Sequence, residues 1–373
     1  MKGLFYCAAF LTVCYPFGNA QQNDPFDLDR ARSIHYASTQ LERQLYHMRS
    51  IRASALSDSA DLAWSWATYA NALVIMARRN DRMDPSLLED FESVFDLLKT
   101  SGSWDELRGA NRVGWSSFRY FGGRQIVSST HAALIVAPIL TWCRDVLGSK
   151  ARLSAVGKAR VDQLIGLSKA VLLEFDSDLR TGSNGSSFYV SGFESEEKVL
   201  PYNCQSSIGK AFLLLWLCTG EQRWLDHTTS IATFVRSGMR EVGGRISWPY
   251  APYWSDGFDD VAHAGSTVDY VVLAFREGIA FSDQDIVGIL STYFHIAQGN
   301  SYADRIDGSS LGDGPRKINT ADQWMCLSQF DPDVLKLHLG YDESFENRAS
   351  TVSRIYGLAV ILDHLNRFDS ADR

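Results

Sequence analysis

The sequence has 373 residues, of which 45% are hydrophobic, 12% aromatic and 21% charged, and its formal net charge is −8. This composition is typical of a folded globular protein and excludes a disordered or fibrous chain. The 44 acidic residues outnumber the 36 basic ones, which argues against a protein that binds nucleic acid through a basic surface. The ten Trp, 15 Tyr and 20 Phe residues fit either a large helical core or aromatic surfaces that stack on sugars.

The first twenty residues have the pattern of a cleavable signal peptide. Lys2 gives a positive start, residues 4–13 are apolar, and a stretch of small residues ends at Ala20. The apolar run is shorter than a membrane-spanning helix requires. We therefore expect a signal peptide at 1–20, a secreted or periplasmic protein that does not stay in the membrane, and a single domain at 21–373, since no linker-like segment interrupts the rest.

From residue 27 onward, the chain has the pattern of successive helical hairpins. Apolar residues recur with helical spacing over 27–51, 61–79, 87–98, 131–147, 153–175, 203–218, 224–239, 263–278, 285–297 and 350–365. In the later hairpins the first helix is apolar on most faces and the second is amphipathic, as an inner and an outer ring require. We predict an all-α fold, an (α/α) toroid, incomplete or closed, of six to seven hairpins, with inner helices that open near 61, 131, 203 and 263. The alternative is an open α-solenoid, which would show a more uniform repeat.

Four cysteines remain after removal of the signal peptide, too few for a fold held together by disulfides. Cys204 and Cys218 lie on one predicted helix, about 21 Å apart by helical rise, so they cannot pair with each other. The sequence contains no Cys or His spacing typical of structural zinc. We predict neither a metal nor a cofactor.

Long loops rich in Gly, Trp and Tyr precede the predicted inner helices, and we expect them to line a cleft. Four motifs stand out in and after these loops: Pro201-Tyr202-Asn203-x-Gln205, Thr219-Gly220-Glu221-x-x-Trp224-Leu225, Trp248-Pro249-Tyr250 and Asp259-Asp260-Val261-x-His263-Ala264. With these motifs the sequence resembles polysaccharide lyases of the (α/α)-toroid type, in particular the alginate- and glucuronan-lyase family. The resemblance is best over residues 200–310.

This resemblance implies cleavage of an acidic polysaccharide, polymannuronate (alginate) or glucuronan, by metal-independent β-elimination. In that reaction the C5 carboxylate is neutralised, a base removes the C5 proton, and an acid protonates the leaving O4. We assign Asn203, helped by Gln205, to the carboxylate, His263 to the base or neutraliser, Tyr302 to the acid, and Arg305 to the cation. We expect a monomer.

The remaining candidates would bind the sugar chain rather than react with it. His131 opens a predicted inner helix, as Tyr202 does, and the aromatic rings expected to stack on sugars are Trp115, Trp248, Tyr250 and Tyr253. Tyr250 also competes with Tyr302 for the role of the acid. Each aromatic residue has an alternative place in the core.

Three further functions fit the same fold. A glycoside hydrolase would need two carboxylates, for which Asp259, Asp260 and Asp269 are available, with Asp307 or Asp313 as the partner. The second is an epimerase, and the third is a non-catalytic protein that binds glycans. Because an acidic protein repels a polyanion, a uronate polymer also requires a locally basic cleft. The predicted cleft loops carry these cations: Arg112, Arg119, Arg124, Lys198, Arg245, Arg305, Arg316 and Lys317.

Overall fold

The described part of a computed structural model of the chain is mainly α-helical, and residues 91–96, inside the predicted helix 87–98, are helical. Residues 37, 59–79, 89, 91–96, 104–119, 122–149, 155–191, 198–253, 257–298, 301–309, 321–343 and 352–371 are described. The helices are α1 (Ala67–Arg79), α2 (Ser129–Gly148), α3 (Ala155–Leu173), α4 (Tyr202–Thr219), α5 (Gln222–Gly238), α6 (Val261–Arg276), α7 (Asp283–Ile296), α8 (Pro332–Glu343) and α9 (Val352–Ala371). A short α-helical turn, Ser59–Asp61, and a π-helical turn, Leu62–Trp66, lead into α1, and the 3₁₀ segment Asp322–Gln329 precedes α8. The predicted signal peptide lies outside these residues, as does the predicted helix 27–51 apart from Ala37.

Six of these elements form a closed inner ring. The order of packing is α1, α2, α4, α6, the 3₁₀ segment and α9, and α9 packs back on α1. Helices α3, α5 and α8 pack outside on their inner neighbours, and α7 packs on the strand Arg245–Ser247. The predicted (α/α) toroid is confirmed, and the inner elements begin at Ser59, Ser129, Tyr202 and Val261, each within two residues of the prediction.

The difference between the inner and outer helices follows from burial. Most of α2 is buried, because an inner helix has neighbours on both sides and an outer helix behind it. In α5 the buried positions recur every three to four residues, which leaves the opposite face to solvent: Trp224, Thr228, Ile231, Ala232 and Val235. Ser129–Gly148 is also long and apolar enough to cross a membrane, but 72% of that window is buried inside the protein, as befits an inner helix.

Turn residues mark the boundaries between helices. Gly220 ends α4 in the left-handed region at φ 68°, a conformation that glycine adopts without strain. Ser282 caps α7 in a capping box with Asp285. The four described cysteines are free thiols, and Cys204 and Cys218 lie at opposite ends of α4.

The long loops contain short strands that the sequence analysis did not predict. The strands are β1 (Trp104–Asp105), β2 (Ala110–Asn111), β3 (Ser116–Ser117), β4 (Ile126–Val127), β5 (Leu179–Thr181), β6 (Ser187–Ser191), β7 (Lys198–Val199), β8 (Arg240–Val242), β9 (Arg245–Ser247), β10 (Ala297–Gln298) and β11 (Ser301–Tyr302). They pair antiparallel as β1–β2, β3–β4, β5–β6–β7, β8–β9 and β10–β11. Because β4 and β7 end just before α2 and α4, these small sheets brace the N-terminal ends of inner helices.

We expect a methyl group at Gly265 to disturb the contact between α6 and the 3₁₀ segment. A Cβ there would lie 2.8 Å from Gln323 Cβ, so Gly265→Ala should lower the free energy of unfolding by about 1–3 kcal/mol. Gly166→Ala in α3 is the matched control, because no atom lies within 4 Å of its added Cβ; alanine there should be neutral or stabilise by up to about 1 kcal/mol. Denaturant titration measures both, and equal stability of the two variants would contradict the close packing.

Candidate active site at the N-terminal end of the inner ring

The N-terminal ends of neighbouring inner helices converge on one another. Inner and outer helices alternate along the chain, so the inner helices run in the same direction. The Thr130 side chain, at the start of α2, hydrogen-bonds the Cys204 thiol at the start of α4. The backbone N–H of Tyr202 donates to Tyr250 O at 3.1 Å, which joins α4 to the loop before α6. We call this end the mouth and define it by Cys204, Tyr250, Asp260, His263 and Arg305.

Asp260 connects the backbone of α6 to the imidazole of His263. It is the N-cap of α6, where its Oδ1 accepts hydrogen bonds from the N–H groups of Ala262 and His263, each at 3.0 Å. Its other oxygen, Oδ2, pairs with His263 Nδ1. The side chains of His263 and Asp260 are 43% and 37% exposed, so a substrate can reach them. The spacing of three residues between cap and histidine makes both contacts available to one carboxylate.

The charges of this pair favour an ionised Asp260 and a basic His263. Burial lowers the pKa of His263, but its hydrogen bond to Asp260 and the charges of Asp260 and Asp259 outweigh burial and raise the pKa above its ordinary value. Burial raises the pKa of Asp260, but the hydrogen bonds from His263 and from the helix N–H groups lower it overall. Because Nδ1 is bound to Asp260, Nε2 is the ring nitrogen that can exchange a proton with a substrate.

Asp259 lies beside this pair but points into the protein. It is 0% exposed, and its Oδ2 accepts a hydrogen bond from Trp248 Nε1 at 3.0 Å. Burial, followed by the charge of Asp260, raises the pKa of Asp259 to about 8. Asp259 therefore holds its proton more tightly than an ordinary carboxyl group, and it does not reach solvent.

Among the described residues, neither Asp259 nor Asp269 is placed to form the carboxylate pair of a hydrolase with Asp260, and Asp313 lies outside the described residues. Asp259 is sealed from substrate, and Asp269 lies deeper in the ring, where it forms an ion pair with Lys210 at 2.5 Å. The donor atoms of Asp259, Asp260 and His263 lie within 4.8 Å of one another, which makes them the candidate group for a metal ion in the described part of the chain. A cation would compete with the Asp260–His263 pair, so proton chemistry suits these residues better. The expected absence of a metal stays a prediction.

Two of the predicted aromatic residues lie at the mouth. The ring of Tyr250 is half-buried, and its centroid lies 5.1 Å from that of His263. Burial is the main cause that raises the pKa of Tyr250, so its hydroxyl keeps its proton and can serve as an acid. Tyr253 lies close enough to Tyr250 for its charge to raise the pKa of Tyr250. Its own side chain is 56% exposed, so its ring is open to solvent.

Arg305 brings a cation to the mouth from a distant part of the chain. It forms an isolated antiparallel bridge with Asp260, and Ile306 N donates to Asp259 O at 3.0 Å. The Arg305 guanidinium lies over Gly257. A Cβ added to Gly257 would be 3.0 Å from Arg305 Nη1. The loop that carries Asp259 and Asp260 therefore lies directly against Arg305.

Asn203 and Gln205 differ, although both open α4. Asn203 is 2% exposed, is not the helix cap, which is Pro201, and has a buried Oδ1 that no described group hydrogen-bonds. A buried amide oxygen without a donor is costly, but at this exposure the Asn203 side chain is as inaccessible to a substrate as Tyr302. Gln205 is 0% exposed, and its amide binds Tyr189 N at 2.9 Å and Tyr189 O at 2.8 Å, so it fastens β6 to α4 instead of facing a substrate.

Three predicted sugar-stacking residues lie in the core. Trp115 is 3% exposed and donates to Val94 O, and Trp248 is 1% exposed and donates to Asp259. Tyr202 is 5% exposed and stacks on Phe234 of α5, with ring centroids 5.6 Å apart. The residue types suit a sugar surface, but tertiary packing turns these three rings inward.

His131 and Tyr302 are also buried. His131 is 3% exposed, and its Nδ1 lies 3.1 Å from Ser59 Oγ. Tyr302 is 1% exposed, with its hydroxyl 2.7 Å from that of Tyr293, so it does not reach a substrate in this structure. Among the predicted basic residues, Arg112 is buried against Glu174, whereas Arg316 and Lys317 lie outside the described residues.

Comparisons with known proteins support the fold. No protein-family model and no functionally curated protein matches the sequence significantly. A sugar epimerase from a ruminal bacterium matches with a TM-score of 0.53 and 9% identity over 81% of this chain and 87% of its own. Cellobiose 2-epimerase from Spirochaeta thermophila matches with a TM-score of 0.53 and 12% identity over 84% of this chain and 88% of its own. Neither is a lyase, so the lyase part of the resemblance depends on the sequence motifs alone.

We predict that Asp260→Asn keeps the helix cap of α6 but loses the charge that acts on His263. Asparagine caps helices well, so α6 should stay intact, whereas Asp260→Ala should lose about 0.5–2 kcal/mol of stability with the cap. Loss of the charge should lower the pKa of His263 in both variants, which an NMR pH titration of the imidazole measures.

The pH dependence of stability gives the same pair a second test. Because the folded pKa of His263 is raised, the pair stabilises the protein fully below the ordinary imidazole pKa, and this stabilisation disappears as the pH rises through the folded value. The stability difference between wild type and Asp260→Asn should therefore be larger at acidic than at alkaline pH. An unchanged His263 titration in both variants would contradict the pairing.

Proposed function

We propose that the chain is a carbohydrate-modifying enzyme that removes a proton from a sugar carbon next to a carboxylate or carbonyl group. The observation that carries this proposal is the exposed His263–Asp260 pair at the mouth of the ring. A histidine held by a carboxylate is a typical general base, and its raised pKa makes it a stronger base than a free imidazole. The toroid fold shared with two sugar epimerases supports a carbohydrate substrate.

Within this class we propose β-elimination on a uronic-acid polymer. His263 removes the C5 proton, and Arg305 neutralises the carboxylate. Tyr250 protonates O4, since its hydroxyl keeps its proton beside His263, in place of the buried Tyr302. In glucuronate and mannuronate the C5 hydrogen and O4 lie on one ring face, so groups on a single side of the sugar suffice. The predicted signal peptide supports a polymer substrate outside the cytoplasm.

The fold comparisons favour a second candidate, epimerisation or isomerisation of a sugar. These reactions begin with the same proton abstraction next to a carbonyl group, but an epimerase must return the proton to the opposite face of the carbon. That step needs a second acid-base group across the substrate from His263. Among the described residues, His131 is a poor candidate for this second group, because it is buried and hydrogen-bonded to Ser59. His263 is the accessible histidine at the mouth.

The test of the proposed elimination is the ultraviolet absorbance of the C4–C5 double bond. Wild type, incubated with polymannuronate, glucuronan, polyguluronate and hyaluronan, should produce this absorbance on at least one polymer. His263→Gln should lower kcat/KM by about 10²–10⁴, the usual contribution of a general base. The rate should rise with pH as His263 loses its proton, with its midpoint above the ordinary imidazole value of about 6.5.

The matched control is His227→Gln, on the outer helix α5, where His227 packs against Trp224 far from the mouth. Its activity should equal that of wild type. New reducing ends without absorbance would indicate a hydrolase, and an altered sugar configuration without cleavage would indicate the second candidate. Equal loss of activity in both histidine variants would contradict the assignment of His263.

A further inference from the structure

A buried chain of polar side chains lies behind the mouth. The Tyr302 hydroxyl lies 2.7 Å from the Tyr293 hydroxyl and 2.9 Å from His338 Nδ1. His338 Nε2 lies 2.9 Å from Asp322 Oδ1. We call Tyr293, Tyr302, His338 and Asp322 the relay; all four residues are at most 2% exposed. The Tyr302 hydroxyl hydrogen-bonds both of its neighbours, whereas His338 and Asp322 lie at ion-pair distance and the Asp322 oxygens have no aligned hydrogen-bond donor among the described residues.

The relay lies next to the segment that supplies Arg305. Tyr302 is three residues before Arg305, and the backbone between them is fixed on both sides. Ala303 N donates to Ile296 O at 2.8 Å, and Val261 N donates to Asp304 O at 3.0 Å. Ile306 N then donates to Asp259 O at 3.0 Å. The segment 303–306 therefore bridges the relay and the loop that carries Asp260.

The relay is also tied to α6 from its other end. Asp322 begins the 3₁₀ segment, and Trp324, two residues later, donates its indole N–H to Val261 O at 2.9 Å. Val261 is the first residue of α6, between Asp260 and His263 in the sequence. The two ends of the relay thus reach the N-terminus of α6 by separate routes.

Buried polar groups are costly unless they find partners, so the hydrogen bonds of the Tyr302 hydroxyl to Tyr293 and His338 favour one arrangement of this part of the chain. Tyr302 is joined to Arg305 by the backbone of the segment 303–306, so this segment is the shorter route from the relay to the mouth. From this geometry, and given the proposed function, we infer that the relay is a positioning device that holds Arg305 against Asp260 and His263 at the distance the substrate carboxylate requires.

Tyr302→Phe tests this inference, with Tyr189→Phe as the matched control. Both tyrosines are almost completely buried, but the Tyr189 hydroxyl has no described hydrogen-bond partner. Hydrogen exchange reports on the relay without any substrate. The amides of Val261 and Ile306 should exchange about tenfold faster in Tyr302→Phe, as expected for the loss of a buried hydrogen bond, and at the wild-type rate in Tyr189→Phe.

Kinetics on the uronate polymer give the second readout. Tyr302→Phe should raise KM by about three- to tenfold with a smaller change in kcat, because the cation is misplaced while the base is intact. In an Arg305→Ala background, Tyr302→Phe should change KM by less than about twofold, since its effect acts through Arg305. A general loss of stability would instead affect both backgrounds alike.

The outcomes separate the two proposals. Unchanged exchange at Val261 and Ile306 in Tyr302→Phe would overturn the relay, whatever the substrate is. Full additivity of Tyr302→Phe and Arg305→Ala in KM would also overturn it. If wild type acts on none of the polymers, the proposed function fails, and the exchange measurement still decides whether the relay holds the segment 303–306.

Discussion

The candidate site depends on the two hydrogen-bonding oxygens of Asp260. One oxygen caps α6 and fixes the direction in which the chain enters the inner ring. The other holds His263 Nδ1 and so determines which ring nitrogen faces the substrate. Because Asp260 is held in place by the helix cap, the imidazole that it binds is held in one orientation relative to the inner helices. Preorganisation of this kind lets a general base act without reorganisation at each turnover.

The toroid explains why residues from distant parts of the sequence meet at this point. Each inner helix begins at the same end of the ring, so the residues at its first turn become neighbours of those on the next inner helix. Thr130, Cys204 and His263 occupy such positions on α2, α4 and α6. Arg305 arrives from a loop instead, and its place is fixed by backbone bonds to Asp259 and Val261 through its neighbours. His263, Tyr250 and Arg305 therefore lie at the same end of the ring although they come from separate segments of the chain.

Sequence reasoning predicted the architecture well, because it depends on local patterns. The starts of the inner helices follow from apolar spacing, and they are confirmed. The direction of individual side chains was less predictable. Tryptophan often stacks on sugars, but Trp248 donates a hydrogen bond to the buried Asp259. Tyrosine can act as a catalytic acid, but the hydroxyl of Tyr302 hydrogen-bonds His338 in the core. Both outcomes depend on partners far away in the sequence, which periodicity does not reveal. The short β-hairpins escaped prediction for a similar reason, since strands of two or three residues carry no alternation to detect.

The central claim is that His263 removes a proton from carbon, and the most direct measurement follows that proton. A uronate polymer labelled with deuterium at C5 is incubated with wild type and with His263→Gln, and the label released to water is measured. The account predicts that wild type releases the label in step with cleavage and that His263→Gln releases it at least about a hundredfold more slowly. Cleavage with the label retained at C5, or equal release by both proteins, would contradict it.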